Sequence, residues 1–400
     1  MPICRPINAA LAAEVSPRRQ FELLRQLLQL TLLCRRGATL DSVKIREHVP
    51  LAPLTTLGVG GPARYFFEAF NEADVREGLD FAASRELPLF VLGGGSNLLV
   101  SDQGFDGLVL KIALAGISSR RGPHDTTIVC AAAGEDWDAL VASAVQENCA
   151  GIECLSGIPG KVGGTPVQNV GAYGQDVSET ITQVQALDTK DGSVREFTNA
   201  DCHFSYRTSR FNSSDRGRYI IMRVSFALQR NGAPKLAYAD LKRHFGERAE
   251  SASLAEVRTS VIEIRRRKGM VLDAGDPDSH SAGSFFKNPV LSEEQFQDLT
   301  RRAAARGLQV PNYPALAAQR KVSAAWLVEQ SGFTRGYSRG PVGISSKHSL
   351  AIVNRGGATA SDVVSFATGI RRAVLDHFGI YLHPEPVFLG FQDANVATST

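Results

Sequence analysis

Leu92-Gly93-Gly94-Gly95-Ser96-Asn97-Leu98-Leu99 follows directly on the apolar run Pro88-Leu89-Phe90-Val91. A short apolar run bounded by glycine reads as a buried strand ending in a tight turn. Such a turn can aim successive backbone N–H groups at one point with no Cβ in the way, which suits phosphate oxygens. The flanking sequence has the same texture. Residues 64–68 and 107–112 read as strands, and 72–85 and 136–148 as helices. This alternation predicts an α+β or α/β domain with ligand-binding turns at strand ends.

Two further glycine groups share the region. One is Gly58-Val59-Gly60-Gly61; the other spans Gly151 to Gly174, with seven glycines in 24 residues where 37 in 400 predicts about two. The excess points to backbone lying close against something bulky. None of the three groups is a Rossmann G-x-G-x-x-G, and Gly160-Lys161 is no P-loop because no Ser or Thr follows the lysine. Three such turns in one domain favour a dinucleotide site over ordinary tight turns.

Further along, 202–207 and 219–227 read as strands and 251–267 as a helix. A polar run at 273–280 leads into Ala282-Gly283-Ser284. Helices are expected at 293–306, 323–330 and 361–378, with a strand at 350–354.

Five segments in order carry a family resemblance. They are Leu92 to Leu99, Ile158-Pro159-Gly160-Lys161-Val162-Gly163-Gly164-Thr165-Pro166-Val167-Gln168-Asn169-Val170-Gly171-Ala172-Tyr173-Gly174, Ser205-Tyr206-Arg207, Gly283-Ser284-Phe285-Phe286-Lys287-Asn288-Pro289 and Pro384-Glu385. Together they resemble the UDP-N-acetylenolpyruvoylglucosamine reductases over residues 46 to 392. The resemblance implies an α+β chain. A vanillyl-alcohol-oxidase-type (PCMH-type) FAD-binding domain of two α/β lobes would span 46–231, and a C-terminal α+β substrate domain 232–400. Residues 1–45 would be an extension outside the family pattern, poorly ordered or helical.

FAD would be contacted by Gly58, Gly60, Gly93, Gly94, Gly95, Ser96, Asn97, Gly157, Ile158, Pro159, Gly160, Gly163, Gly164, Gln168, Asn169, Gly171 and Ala172. Many oxidases on this fold tether FAD through a histidine near the first glycine turn. Residues 91–101 contain none, so the cofactor is expected to be non-covalent.

The implied reaction starts with NADPH reducing FAD. Hydride then passes to the enolpyruvyl double bond of a UDP-amino sugar, yielding UDP-N-acetylmuramate for peptidoglycan. Charge builds on the carboxylate side while the adjacent carbon awaits a proton, so a charge stabiliser and a proton donor are needed. Arg207 matches the stabiliser, Ser284 the proton donor and Glu385 the third catalytic position, and nearby Lys287 is a possible helper. Tyr173, Tyr238, Lys268, Asn288 and Tyr313 match substrate-binding positions. Tyr238 resembles the tyrosine of an inserted segment that closes over the substrate diphosphate in one form of the family. The run at 273–280 is longer than the family pattern leads one to expect.

Away from the resemblance these residues read more plainly. An arbitrary arginine is more often a surface ion-pair partner, a serine after glycine a turn residue, and a strand-end glutamate solvated. Tyr238 alone would be a half-buried core residue. His203, His348 and His377 show no metal-ligand spacing, and no metal is expected.

The balance of 44 basic against 41 acidic residues, net +3, gives no sign of nucleic-acid binding. Six cysteines without a CxxC pair read as reduced thiols of a cytoplasmic protein. The apolar run at 21–34 is interrupted by Glu22 and Arg25 and reads as a short amphipathic helix, with no membrane insertion. The expected partners are the sugar nucleotide and NADPH, with the chain acting as a monomer. Two other readings fit the same fold. A flavin oxidase would be reoxidised by oxygen, and a non-catalytic binder would not bleach with NADPH.

Overall fold

Ala63, Phe66, Phe67 and Ala69 are buried along strand Pro62–Ala69, as a strand inside a sheet requires. It belongs to a four-stranded sheet in the order Arg46–Pro50, Pro62–Ala69, Phe105–Ile112, Leu89–Leu92. The last three strands are parallel, with Phe67 opposite Leu110 and Phe90 opposite Val109. Parallel strands need a crossover, and helix Glu72–Ser84 makes the one from Pro62–Ala69 to Leu89–Leu92, on either side of Phe105–Ile112. Its start is written in the sequence: Asn71 and Asp74 cap each other's backbone amides. The turn at 93–97 therefore leaves the carboxyl end of a parallel strand, where open α/β sheets bind ligands.

This computed structural model describes residues 45–273, 275–314 and 319–392. The expected helix at 21–34 lies outside the described residues.

The second lobe is antiparallel. Its strands run Val194–Thr198, Ile181–Asp188, Tyr219–Arg230, Thr126–Ala132 and Ile117–Arg121, with Cys149–Ala150 also pairing Tyr219–Arg230. Helix Trp137–Gln146 buries Trp137, Leu140, Val141 and Ala144. The Trp137 ring meets Phe226 of the long strand at 5.8 Å.

One expected strand is absent. Residues 202–207 form a 3-10 turn and then a tight turn, in which Ser205 and Thr208 exchange both backbone hydrogen bonds (2.9 and 3.1 Å). His203 and Arg207 have φ of 49° and 55°, left-handed values that no extended strand tolerates. Asn169 Nδ2 donates to the Ser205 carbonyl (3.0 Å), so a distant residue holds the turn.

The C-terminal part packs helices Glu293–Ala304, Ala324–Gln330 and Ala360–Phe378 on strands Ser281–Ser284, Ala351–Asn354, Val342–Ile344 and Ser338–Arg339. Its core takes in Leu57, Val59 and Leu99 from the N-terminal part, beside Phe285 and Phe286. The chain end returns as well: strand Val387–Leu389 pairs in parallel with Leu98–Val100, directly after the glycine turn. Between the lobes and this part lie helices Ala239–Phe245 and Leu254–Arg267. They share a core of Cys154, Tyr173, Leu241, Phe245, Val257 and Val261. The second of them starts at 254 because Ser253 and Glu256 form a capping box.

Candidate active site

The turn at 93–97 and the turn at 158–160 meet backbone to backbone. A Cβ on Gly94 would stand 2.7 Å from the Gly160 Cα, so no side chain fits there. Ser96 Oγ donates to the Pro159 carbonyl (2.9 Å), and Asn97 Nδ2 donates to Gln168 Oε1 (2.6 Å). The two turns line one wall of a cavity of about 850 Å³, within the range for cofactor and ligand sites. Among the described residues, the amides of Gly94, Gly95 and Ser96 have no intramolecular acceptor. Gly164, also on the wall, faces open space, with nothing within 4 Å of a built Cβ. Unpaired amides beside side-chain-free backbone fit a diphosphate-bearing cofactor such as FAD.

These contacts separate two kinds of glycine. Gly94→Ala is expected to force the turns apart, lowering both the melting temperature and the flavin retained on desalting. Gly164→Ala is expected to leave the apoprotein's melting temperature within about 1 °C, since a surface-like change costs under about 0.5 kcal/mol, yet to release flavin. Calorimetry and absorbance of the desalted protein check both.

Arg207, Ser284 and Glu385 line the same cavity. Arg207 Nε pairs with Glu385 Oε1 at 3.1 Å. Its Nη2 donates to the Gly171 carbonyl (2.5 Å) and its Nη1 to the Asn169 carbonyl (3.4 Å). Three of its five N–H groups are thereby hydrogen-bonded, which fixes the guanidinium plane and leaves two for a ligand, with Asp176 Oδ1 a looser ion-pair partner 3.8 Å from Nη1. Burial pushes the Glu385 carboxyl above its ordinary range, while Arg207 and then Lys287 pull it back.

Ser284 and Glu385 are held on adjacent backbones, since the Glu385 amide donates to the Phe285 carbonyl (2.8 Å). Ser284 ends a strand whose register shifts between Ser281 and Ser284, with Gly283 at φ 73°. A bulge of this kind re-aims the following side chain. Ser284 Oγ lies 3.1 Å from His348 Nε2.

At another side of the cavity Tyr173 and Tyr238 meet edge to face at 5.3 Å, and Lys268 Nζ stands 5.7 and 5.8 Å from their ring centres. Lys268 also pairs with Asp240 (3.1 Å). Burial works against its charge, but Tyr173, Tyr238 and Asp240 outweigh it and raise its pKa. Arg265 is 6% exposed and donates to the carbonyls of Gly157 (3.1 Å) and Met270 (2.8 Å). Among the described residues no carboxylate lies within 4 Å of it. A buried cation without an anionic partner is costly, and an anionic ligand in this cavity would offset the cost.

Of the remaining expected contacts, Ile158, Pro159, Gly160, Gln168, Gly171, Ala172 and Asn288 are on the cavity wall. Gly58, Gly60, Gly157, Gly163 and Asn169 are not. Gly60 is glycine because a Cβ would strike Val100, and Gly163 because one would strike Ala133 at 2.6 Å. Gly58, at φ 69°, shapes the turn beside Asn354. Gly157 serves Arg265 and Asp138 through its backbone, and Asn169 builds the Arg207 turn. Tyr313 lies on strand Asn312–Pro314 opposite Lys321, and its side chain falls outside the described residues.

Sequence reasoning missed Arg265, Lys321 and His348, all on the wall. Lys321 Nζ sits 3.7 Å from the Tyr206 ring centre, its pKa lowered by burial and then by Arg207. An arginine inside the run 265–268 and a histidine without a ligand pattern carry no local signal. Among the described residues no cluster of three or more His, Cys, Asp or Glu could hold a metal ion, and no helix is long and apolar enough to cross a membrane.

Known proteins match over both halves of this cavity. Residues 63–198 match the profile of an FAD binding domain, and 276–389 that of the C-terminal domain of UDP-N-acetylenolpyruvoylglucosamine reductase. The chain is 46% identical over 349 residues to the UDP-N-acetylenolpyruvoylglucosamine reductase of Thermobifida fusca, covering 86% of this chain and 98% of that one. The enzyme of the same name from Streptomyces coelicolor is 45% identical over 359 residues, covering 88% and 92%. The crystal structure of UDP-N-acetylenolpyruvylglucosamine reductase from Thermus caldophilus superposes with a TM-score of 0.59 at 26% identity, covering 86% of this chain and 100% of that one.

Proposed function

Because the chain belongs to the UDP-N-acetylenolpyruvoylglucosamine reductase family, we propose that this FAD-dependent oxidoreductase makes UDP-N-acetylmuramate in peptidoglycan precursor synthesis. NADPH is the reductant, and bound FAD supplies the hydride to the enolpyruvyl double bond. The observation that carries the reading is the convergence of Arg207, Ser284 and Glu385 on the cavity walled by the glycine turns.

In this reading Arg207 grips the substrate carboxylate with its two remaining N–H groups and stabilises charge as it develops. The Ser284 hydroxyl gives its proton to the substrate carbon next to the one that received hydride. Glu385 holds Arg207 in plane and, with its raised pKa, can carry a proton into the site. Arg265, Lys268, Tyr173 and Tyr238 face the UDP diphosphate. Tyr238 is 40% exposed, with no side-chain capping bond on the helix it precedes, and acts as a lid over that group. We place the boundary between FAD-binding and substrate parts at 231/232, after strand Tyr219–Arg230. The enzyme works as a cytoplasmic monomer.

Anaerobic half-reactions test the proposal. Yellow protein should bleach with NADPH and recover its colour with the enolpyruvyl sugar nucleotide. Recovery with oxygen alone would overturn it. A lid role for Tyr238 predicts a narrower effect. Tyr238→Ala should raise the KM for the sugar nucleotide about tenfold, the order of one charge-assisted hydrogen bond of about 1.5 kcal/mol, with flavin reduction by NADPH unchanged. Steady-state kinetics beside stopped-flow reduction separates the two.

A further inference from the structure

The described residues of the polar run, 273 and 275–280, are tied to one another and to the neighbouring strand. Gly275 N and Ser279 Oγ bond Asp273, Asp278 N bonds the Asp276 side chain, and the His280 carbonyl accepts from Asn354. Its two outward-reaching carboxylates grip one short turn. Asp278, 2% exposed, accepts from both the amide and the hydroxyl of Ser346. Asp276 takes the Lys347 ammonium at 2.7 Å. Ser345 Oγ closes the turn from inside, accepting from the amides of Lys347 (3.0 Å) and His348 (3.2 Å). The turn delivers His348 Nε2 to Ser284 Oγ at 3.1 Å.

We propose that the 273–280 run is a brace that holds His348 against Ser284, so that the imidazole decides where the serine hydroxyl points. Asp276, Asp278 and His348 are positioning residues, and the proposal rests on Ser284 being the proton donor. Burial, then Lys268, Arg265 and Arg335, push the His348 imidazole down to about 4, so the ring is neutral at neutral pH. A neutral ring with its proton on Nε2 donates to a lone pair of Oγ. The hydroxyl proton is then turned away from the ring, towards the cavity. The same N–H stabilises the oxygen as its proton leaves. A ring of such low basicity does not strip the proton from serine, as a catalytic base would. The cations around it thus favour serine as an acid, the opposite of its role as a nucleophile beside a basic histidine.

The test is a double-mutant cycle on the FAD-loaded enzyme. His348→Ala and Asp278→Ala are each expected to slow flavin reoxidation by the enolpyruvyl sugar nucleotide at least tenfold, with NADPH reduction within twofold of the parent. In a Ser284→Ala background neither is expected to add anything. Ser346→Ala, which removes the hydroxyl bond to Asp278, and Lys347→Met, which removes the Asp276 pair, stand in should Asp278→Ala fold poorly. Nitrogen-15 NMR of histidine-labelled holoenzyme is expected to show Nε2 protonated, with its resonance shifted in the Asp278→Ala variant. Equal slowing of both half-reactions, losses that add to Ser284→Ala, or an unprotonated Nε2 would each overturn the brace. A Ser284→Ala enzyme reoxidised at the parent rate would instead overturn the assignment of the proton donor.

Discussion

Ser284→Ala is expected to slow reoxidation of the reduced flavin by the enolpyruvyl sugar nucleotide by about 10²- to 10⁴-fold, the usual contribution of a positioned general acid. Flavin reduction by NADPH is expected to stay within about twofold, because no proton from serine is needed to accept hydride. The split follows from geometry. Ser284 Oγ touches His348 and lines the cavity, but bears no backbone contact of the glycine turns that cradle the cofactor. Removing the oxygen takes the acceptor from His348 Nε2 but leaves no buried charge, so the melting temperature is expected to fall by a few degrees at most. Stopped-flow absorbance with each partner in turn is the measurement. Equal loss in both directions would mean that the hydroxyl serves cofactor binding, and the proton donor would have to be sought among Glu385 and solvent.

Arg207→Met is expected to cost the same half-reaction about 10²- to 10³-fold, the scale of losing one preorganised charge stabiliser. It also has a second signature. Burial raises the Glu385 carboxyl, and Arg207 at 3.1 Å is the strongest influence pulling it down. Without the guanidinium the neutral acid is favoured further, so the Glu385 pKa moves up, and any pH-rate limb it governs moves to higher pH. Arg207→Lys is expected to restore the pH profile while recovering little rate. A lysine keeps the charge, but it cannot meet Glu385 and the carbonyls of Asn169 and Gly171 while leaving two donors for substrate. Reoxidation rates across pH 5 to 9, about the range over which a perturbed carboxyl titrates, distinguish the two variants. An unchanged profile in Arg207→Met would uncouple the two residues and remove Glu385 from the proton path.

Part of the cavity wall was legible in the sequence. Gly93 to Gly95 and Ile158 to Gly160 lie in short turns on that wall, and a glycine or proline turn is a signal written locally. Gly60 and Gly163 share that local signal but spend it on packing against Val100 and Ala133. Glycine reports that backbone approaches something, and the sequence does not say whether that is ligand or protein. His348 is the converse case, an unremarkable residue whose partner lies 64 positions away.

By itself the sequence determined six helices, the strands near 64–68, 88–92, 107–112, 219–227 and 350–354, the glycine turns and the residue types available for catalysis, but neither helix Ala239–Phe245 nor the other strands. Periodicity, caps and turn chemistry act over a few neighbouring residues and need no distant partner. Tertiary structure alone decided that Arg207 leaves a left-handed turn held by Asn169, that Glu385 reaches the Phe285 carbonyl, and that the chain end pairs beside the first glycine turn. Those contacts join segments up to 289 positions apart, as between Leu98 and Val387. They exist because burying one shared core and pairing every buried amide leaves few ways to bring such segments together, and no window of sequence records which way was taken.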